Sequence, residues 1–178
     1  AEIIATLNRL QQTGIDNVFI ETYFHGKTIF PSKTMAAYGF TTQYEKFAGI
    51  DPLEIWIREA HKRGIKVHTW FETFYAGNQS PNDNPNSILA KNPSWGNKTK
   101  KDYASTLPSK STSEHNGYFL DPANPYVQDF IAKLTEEIIT RYKPDGINLD
   151  YIRYPNTVGT NEMSSWGYTE YALSLIHI

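Results

Sequence analysis

Ile3, Ile4, Leu7 and Leu10 recur at the three-to-four-residue spacing of a helix face, and Gly14 closes the run. The segment that follows, "IDNVFIETY", is rich in β-branched and aromatic residues and predicts a strand. The same order returns twice. Asp51 is placed to cap a helix with Pro52 at its first position and Glu54 completing a capping box. That helix is predicted to run to about His61, with Gly64 as its stop and "IKVHTWFE" as the next strand. In the third unit Asn124 caps, Pro125 opens the helix, and Phe130, Ile131, Leu134, Ile138 and Ile139 line one side. The helix ends near Tyr142, before "PDGINLD".

The junctions Gly14-Ile15, Gly64-Ile65 and Gly146-Ile147 therefore read as equivalent points of an α/β repeat whose right-handed crossovers make the strands parallel. Each strand closes on an acid: Glu21, Glu72 and Asp150. Ligands of parallel α/β folds collect at the carboxyl ends of the strands, so the three acids are expected on one working face. Strand alternation sends Asn148 and Asp150 one way and Ile147 and Leu149 the other. In the preceding strand it groups His68, Trp70 and Glu72 on the same interior face. Short turns precede the strands and long segments follow them, at 23–50 and 74–116. The longer segment is expected to be a binding loop or lid over the acids, with a plain insertion as the alternative.

An eight-stranded barrel typically needs about 250 residues, and this 178-residue chain offers three convincing strands. The expectation is therefore an α/β fold of the parallel (β/α)8 TIM-barrel type with about half of the barrel present. Residues 1–155 would form that half, and 156–178 a loop and short helix leading onward. A small complete α/β sheet is the structural alternative. Open barrel edges would favour association.

Composition narrows the chemistry. The formal net charge is −2, and the basic residues are scattered apart from "KTKK" at Lys98–Lys101, so no nucleic-acid footprint exists. With no cysteine, disulfides, thiolate metal sites and a cysteine nucleophile are excluded. No apolar run approaches the roughly 18 residues of a membrane span, and the chain opens directly in a helical pattern. The histidines form no HxH or HExxH pattern, and GxGxxG, GxxxxGK and GxSxG are absent, so neither a metal nor a cofactor is expected. Asn78 and Asn97 match the glycosylation sequon.

Carboxylates accompanied by Trp and Tyr, without a cofactor motif, suit glycoside cleavage, in which one carboxyl donates a proton while another attacks or activates water. Asp150 and Glu72 are the candidate catalytic pair; the alternative for Asp150 is to cap the next turn or pair with Arg153, and for Glu72 to hydrogen-bond a sugar hydroxyl or pair with Arg153. Glu21, His25, His68 and Asn148 are candidate sugar-binding groups, with Tyr23, Trp70, Trp95, Tyr151 and Tyr154 as candidate stacking platforms. Arg153 completes the shell around Asp150. A noncatalytic glycan-binding barrel would use the same aromatic residues without the acids.

The segments "IFPSK", "DPLEIWIREAHKRGIKVHTWF", "NPSW", "LDPANPYVQDFI" and "DGINLDYIRYP" occur in an order that resembles the glycosyl-hydrolase-like family 10, a group of bacterial (β/α)-barrel proteins. The resemblance covers roughly Asn17 to Pro155. It implies a glycosidase-type barrel acting on polysaccharide, often at the cell envelope or outside the cell, with the visible strands as the second to fourth of eight. Asp150 matches the acid at the end of the family's fourth strand, its catalytic carboxylate by position. Tyr23 and Lys27 stand where an Arg and an Asp are common in that family, and Glu72 where Asn is common. The last motif is also similar to the DGxDxDxE signature of chitinase-like barrels, but Asn148 replaces the middle acid and Ile152 the glutamate, which argues against substrate-assisted chemistry.

Overall fold

The computed structural model describes residues 1–113, 115–157 and 159–175. Its helices and strands are, in chain order, α1 (Glu2–Gln12), β1 (Asn17–Phe24), β2 (Lys27–Thr28), α2 (Lys33–Ala37), α3 (Pro52–His61) and β3 (Lys66–Glu72). They continue with β4 (Tyr75–Gly77), α4 (Ile88–Lys91), β5 (Tyr118–Phe119), α5 (Pro125–Tyr142), β6 (Gly146–Asp150) and α6 (Glu170–Ser174). Two compact units result. One comprises Ala1–Tyr23, Lys27–Phe71 and Leu134–Asp150; the other comprises Phe24–Gly26, Glu72–Lys133 and Tyr151–Ile178. Chain packing thus divides at different points from the boundary at Pro155 expected above. Of the segment 156–178, residues 158 and 176–178 lie outside the described residues, and its short helix is α6.

The first unit holds a four-stranded sheet of order β2-β1-β3-β6. β1 and β3 are parallel, with Asn17 opposite Lys66 and Glu21 opposite Trp70. Sequence patterning missed β2. It exists because His25 and Gly26 both adopt positive φ, at 49° and 67°, the conformation of a two-residue hairpin turn of the I′ kind. Val67 and Phe71 on one face of β3 are fully buried, as are Leu7 of α1, Leu53 and Ala60 of α3, and Leu134 and Ile138 of α5. Each of these side chains larger than alanine contributes about 1.5–3 kcal/mol relative to exposure. Ile139, expected on the buried side, is 51% exposed, since it lies one position beyond the Leu134/Ile138 stripe.

Asp51 caps α3 as predicted, its Oδ1 accepting the Glu54 N–H at 3.1 Å. Its second oxygen accepts the Tyr142 hydroxyl at 2.6 Å, which joins the start of α3 to the end of α5. Burial, reinforced by this carboxylate, pushes the Tyr142 phenol well above its ordinary value. Gly14 and Gly64 close α1 and α3 with φ of 76° and 69°, and the N–H groups of Ile15 and Ile65 return to the carbonyls of Leu10 and Ala60. The third junction is built differently. After α5 the left-handed residue is Lys143, at φ 49°, and Gly146 is already inside β6.

Glu137 on α5 is the polar anchor of this unit. Its carboxylate accepts the Ser32 hydroxyl at 2.7 Å and the backbone N–H groups of Lys33 and Thr34 at 2.7 and 2.9 Å, and it pairs with Arg141. It holds the first turn of α2, where unsatisfied N–H groups attract negative charge.

The second unit is built from the long segment after β3. Far from a bare loop, it carries the antiparallel pair β4-β5, α4 and several single turns of 3-10 helix. Tyr75, Phe119, Leu120, Val127, Phe130 and Leu89 form its core. Asn124 is buried and caps α5, accepting the Tyr126 N–H at 2.9 Å. Asp121 is buried too, bonded to the Thr169 hydroxyl and the Ala123 N–H, and burial pushes its carboxyl above the ordinary value. Asn97 of the second sequon is fully buried, with Oδ1 accepting the N–H groups of Lys98 and Gly167. It is a loop strut. Among the described residues no helix is long and apolar enough to cross a membrane.

Burial alone would raise the Glu137 carboxyl, but its hydrogen bonds outweigh burial and hold it at about 2, below the ordinary 4.5. A depressed folded-state value means stabilisation present above pH 4.5 and lost as pH falls toward 2. Glu137→Gln should cost on the order of 2 kcal/mol at neutral pH. In thermal melts across pH, the gap between variant and parent should close below pH 4.5; a gap independent of pH would remove the ionised anchor.

Candidate functional site

In the first unit the start of β6 is pinned to β3 at one residue. The Asp145 N–H donates to the Val67 carbonyl at 2.8 Å, while its Oδ2 accepts the Val67 N–H at 2.8 Å and the His61 Nε2 at 2.7 Å. Burial opposes its charge, but these hydrogen bonds prevail and lower its carboxyl below the ordinary range. Gly146 comes next because a Cβ there would lie 2.5 Å from His68 Nδ1. It is required by close approach to a side chain, unlike the two glycines that close α1 and α3.

Alternation from this clamp brings predicted residues together on the sheet face opposite the buried one. The Trp70 indole N–H donates to Asp150 Oδ2 at 3.1 Å, and Asp150 and Asn148 are exposed. His68 stacks on Phe19 at 4.8 Å between ring centroids, and its Nε2 shares a 2.9 Å hydrogen bond with Asn17 Oδ1. Glu21, half-buried, shares this parity through its register with Trp70. Phe19, 59% exposed, was not singled out from sequence, although the period-two pattern through Asn17 and Glu21 places it on this face.

Tyr23 leaves that face. The register of β1 against β3 slips between Glu21 and Tyr23, so one extra residue, Thr22, inserts and Tyr23 pairs with Phe71. The Tyr23 ring is fully buried, 5.7 Å from that of Phe71. A sugar platform at Tyr23 is therefore replaced by a packing role.

The second unit gathers a different set around Tyr75. The Glu72 carboxylate is 8% exposed and accepts the His25 backbone N–H at 2.9 Å, with the His25 imidazole at 3.9 Å. Tyr75 is buried, and its hydroxyl bonds Asn78 Oδ1 and the His115 carbonyl. Its ring touches those of His25, His115, Phe119 and Tyr151, at 5.3, 5.6, 5.0 and 5.4 Å. The Arg153 guanidinium lies 5.1 Å from the Tyr151 ring centre, within cation–π range. Tyr151 holds φ at 51°, a conformation that costs a bulky residue on the order of 1–3 kcal/mol. Trp95 does not join this group: it is 6% exposed and tilted against Phe130 at 5.8 Å, because the long segment packs on itself. Burial also raises the Tyr154 phenol above its ordinary value, helped by the charge of Asp121. Among the described residues no group of three or more His, Asp or Glu side chains is arranged to hold a metal ion.

The order of segments, the acid closing β6 and the α/β core agree with one family. A family model described as glycosyl hydrolase-like 10 matches residues 1–174. The chain belongs to the glycosyl hydrolase-like 10 family. This family member is 32% identical over 170 residues to the protein named glycosyl hydrolase DigH of Escherichia coli (strain K12), covering 95% of the chain and 38% of that protein. It is 29% identical over 167 residues to the protein named glycosyl hydrolase YngK of Bacillus subtilis (strain 168), covering 90% of the chain and 29% of that relative. The chain thus spans well under half the length of either. Its fold resembles a hypothetical protein from Ruminiclostridium thermocellum (TM-score 0.66, 17% identity, 90% of this chain and 75% of that one). It also resembles the alpha-galactosidase from Lactobacillus brevis (TM-score 0.60, 20% identity, 99% and 21%). The structural neighbours of this glycosyl hydrolase-like 10 chain include TIM-barrel glycosidases, and its own main sheet is mixed rather than all parallel because of β2.

Gly117 is the tightest point of the Tyr75 cluster: a Cβ there would sit 2.2 Å from the Tyr75 hydroxyl and 2.7 Å from the Gly77 carbonyl oxygen. Gly117→Ala should destabilise by on the order of 2 kcal/mol through overpacking. Calorimetry should show a lower melting temperature, and an unchanged one would mean that the cluster is loosely held.

Proposed function

We propose that the chain is part of a glycoside hydrolase that cleaves a polysaccharide or cell-envelope glycan by carboxylate chemistry, with Asp150 as nucleophile or general acid. One observation carries this reading: the carboxylate closing β6 is exposed and receives an indole N–H on a face that also presents Phe19, His68 and Asn17. A carboxylate next to aromatic surface is what glycoside cleavage asks for, since rings stack on sugar faces while the acid works at the anomeric centre. The family membership and the names of the relatives support hydrolase chemistry. We further propose that the four-stranded sheet is a segment of a (β/α)8 barrel and that the whole protein works outside the cell or at its envelope. The TIM-barrel neighbours support the former.

Glu72 enters this reading in its own unit. Its carboxylate accepts the His25 N–H at 2.9 Å and lies 3.9 Å from the His25 imidazole, so it serves as an acid or as a partner for sugar hydroxyls. Other catalytic carboxyls would come from the parts of the relatives that this chain does not span.

Asp150→Asn in the full-length protein should lower glycan turnover by on the order of a thousandfold or more while leaving the melting temperature within a few degrees, since the change removes charge but little volume. Retained glycan binding with lost turnover fits catalysis at Asp150. Turnover within a few fold of the parent would make Asp150 structural and move the chemistry to another carboxyl, whereas a parent that binds glycan without turning it over would favour the noncatalytic glycan-binding alternative.

A further inference from the structure

Trp95 is buried, but three tyrosines not singled out from sequence, Tyr103, Tyr168 and Tyr171, line a pocket of about 600 Å³ within the second unit. That volume falls in the range of about 300–1,000 Å³ typical of small-ligand sites. Lys98, Ser105 and Glu170 line it as well. Hydrogen bonds tie its walls together. The Tyr168 N–H donates to the Lys98 carbonyl at 3.1 Å, and the Lys100 N–H to the Ser165 carbonyl at 2.9 Å. The Asp102 carboxylate accepts the hydroxyls of Thr99 and Ser109 at 3.2 and 2.6 Å, while its carbonyl accepts the Ser105 N–H at 2.9 Å and closes residues 102–105 into an anchored turn. Two of the rings are braced from outside the pocket: Tyr126 meets Tyr171 edge to face at 6.4 Å, and the Lys100 ammonium, paired with Glu162, lies 5.9 Å from the centre of the Tyr168 ring. The third ring, Tyr103, is 54% exposed.

We propose that this pocket is a saccharide-binding subsite that holds a short stretch of a neutral glycan. Its lining carries one cation and one anion, Lys98 and Glu170, and the Lys98 ammonium already donates to the Ser105 carbonyl at 2.5 Å. With no excess of positive charge the pocket does not select phosphates or other anions. A wholly apolar ligand would strip water from the hydroxyls of the tyrosines, Ser105 and Thr106 without replacing their hydrogen bonds. A neutral sugar meets both demands, since its ring faces stack on phenol rings while its hydroxyls pair with the hydroxyls and charged groups around them. Neither Asp150 nor Glu72 lines the pocket, and one carboxylate does not make the pair that glycoside cleavage uses, so its work is to hold the chain and not to cut it. This role rests on the glycan-directed reading above and adds to it a contact that the catalytic carboxylates do not provide.

The test is calorimetric binding of maltohexaose, cellohexaose and the hexamer of N-acetylglucosamine to the full-length protein carrying Asp150→Asn, with and without Tyr103→Ala, Tyr171→Ala or Tyr103→Phe. Binding of at least one sugar should weaken by roughly three- to tenfold in each alanine form, the loss of one stacking ring. Tyr103→Phe, which keeps the ring, should stay within about twofold. Hydrogen exchange needs no pocket variant and decides the matter if an alanine form fails to fold: the sugar that binds should slow exchange of the backbone N–H groups in 94–106 and 168–171. Unchanged affinity in both folded alanine forms would overturn the proposal, as would no binding of any of the three sugars. Exchange in those segments that is equally slow without sugar would also overturn it, because another part of the full-length chain then fills the pocket. Binding that depends on the pocket in a protein whose parent turns over no glycan would uphold the subsite and sink the hydrolase reading, and turnover by a parent whose binding ignores the pocket would do the reverse.

Discussion

The clamp between Asp145 and Val67 is the interaction on which the presented face of the first unit depends. Two backbone hydrogen bonds' worth of contact, one through the Asp145 N–H and one through its carboxylate, fixes β6 against β3 before the strand begins. A slip of one residue would turn every side chain of β6 to the opposite face. With the clamp in place, Asp150 meets the indole of Trp70, and Gly146 leaves room for His68 to stack on Phe19. The segment "DGINLD" thus divides its labour: its first acid sets register, its glycine yields space, and its last acid is presented.

The second unit solves a related problem with a ring. Tyr75 is held by its hydroxyl and surrounded on its faces and edges by His25, His115, Phe119 and Tyr151. Glycine is needed where the backbone passes the phenol, at Gly117, and where it passes His25, at Gly77, whose φ is 104°. An aromatic hub of this kind aims several polar side chains from distant parts of the chain without regular secondary structure to carry them. Turn chemistry alone would favour Asn or Gly at positions such as 25 and 115; histidine there is explained by what its ring touches.

Much of this was legible in the sequence, for reasons that also mark where reading stops. Helix caps at Asp51 and Asn124 depend on residues within a few positions, and their hydrogen bonds appear as read. Period-two alternation placed His68, Trp70 and Asp150 together because β3 and β6 are regular over those spans. Residue type alone marks Tyr23 as a platform, but a single inserted residue in β1, which carries no compositional mark, turns it into the core instead. The third glycine looked equivalent to the other two, but Lys143 took the helix-closing conformation, and Gly146 is required instead by the close approach of His68. Trp95 and His115 lie in one long segment and went opposite ways, the first into the core and the second onto the Tyr75 hub. Only the self-packing of that segment decides between them.

Chemical rescue tests most directly whether the presented carboxylate does chemistry. Asp150→Ala in the full-length protein, offered an aryl glycoside that the parent hydrolyses, should be nearly inactive and should regain turnover as azide or formate is added, because a small anion fits the space the side chain vacated. The anomeric configuration of any glycosyl azide formed would then distinguish nucleophile from general acid. A folded Asp150→Ala protein that hydrolyses the glycoside as fast as its parent, with or without added anion, would contradict the account.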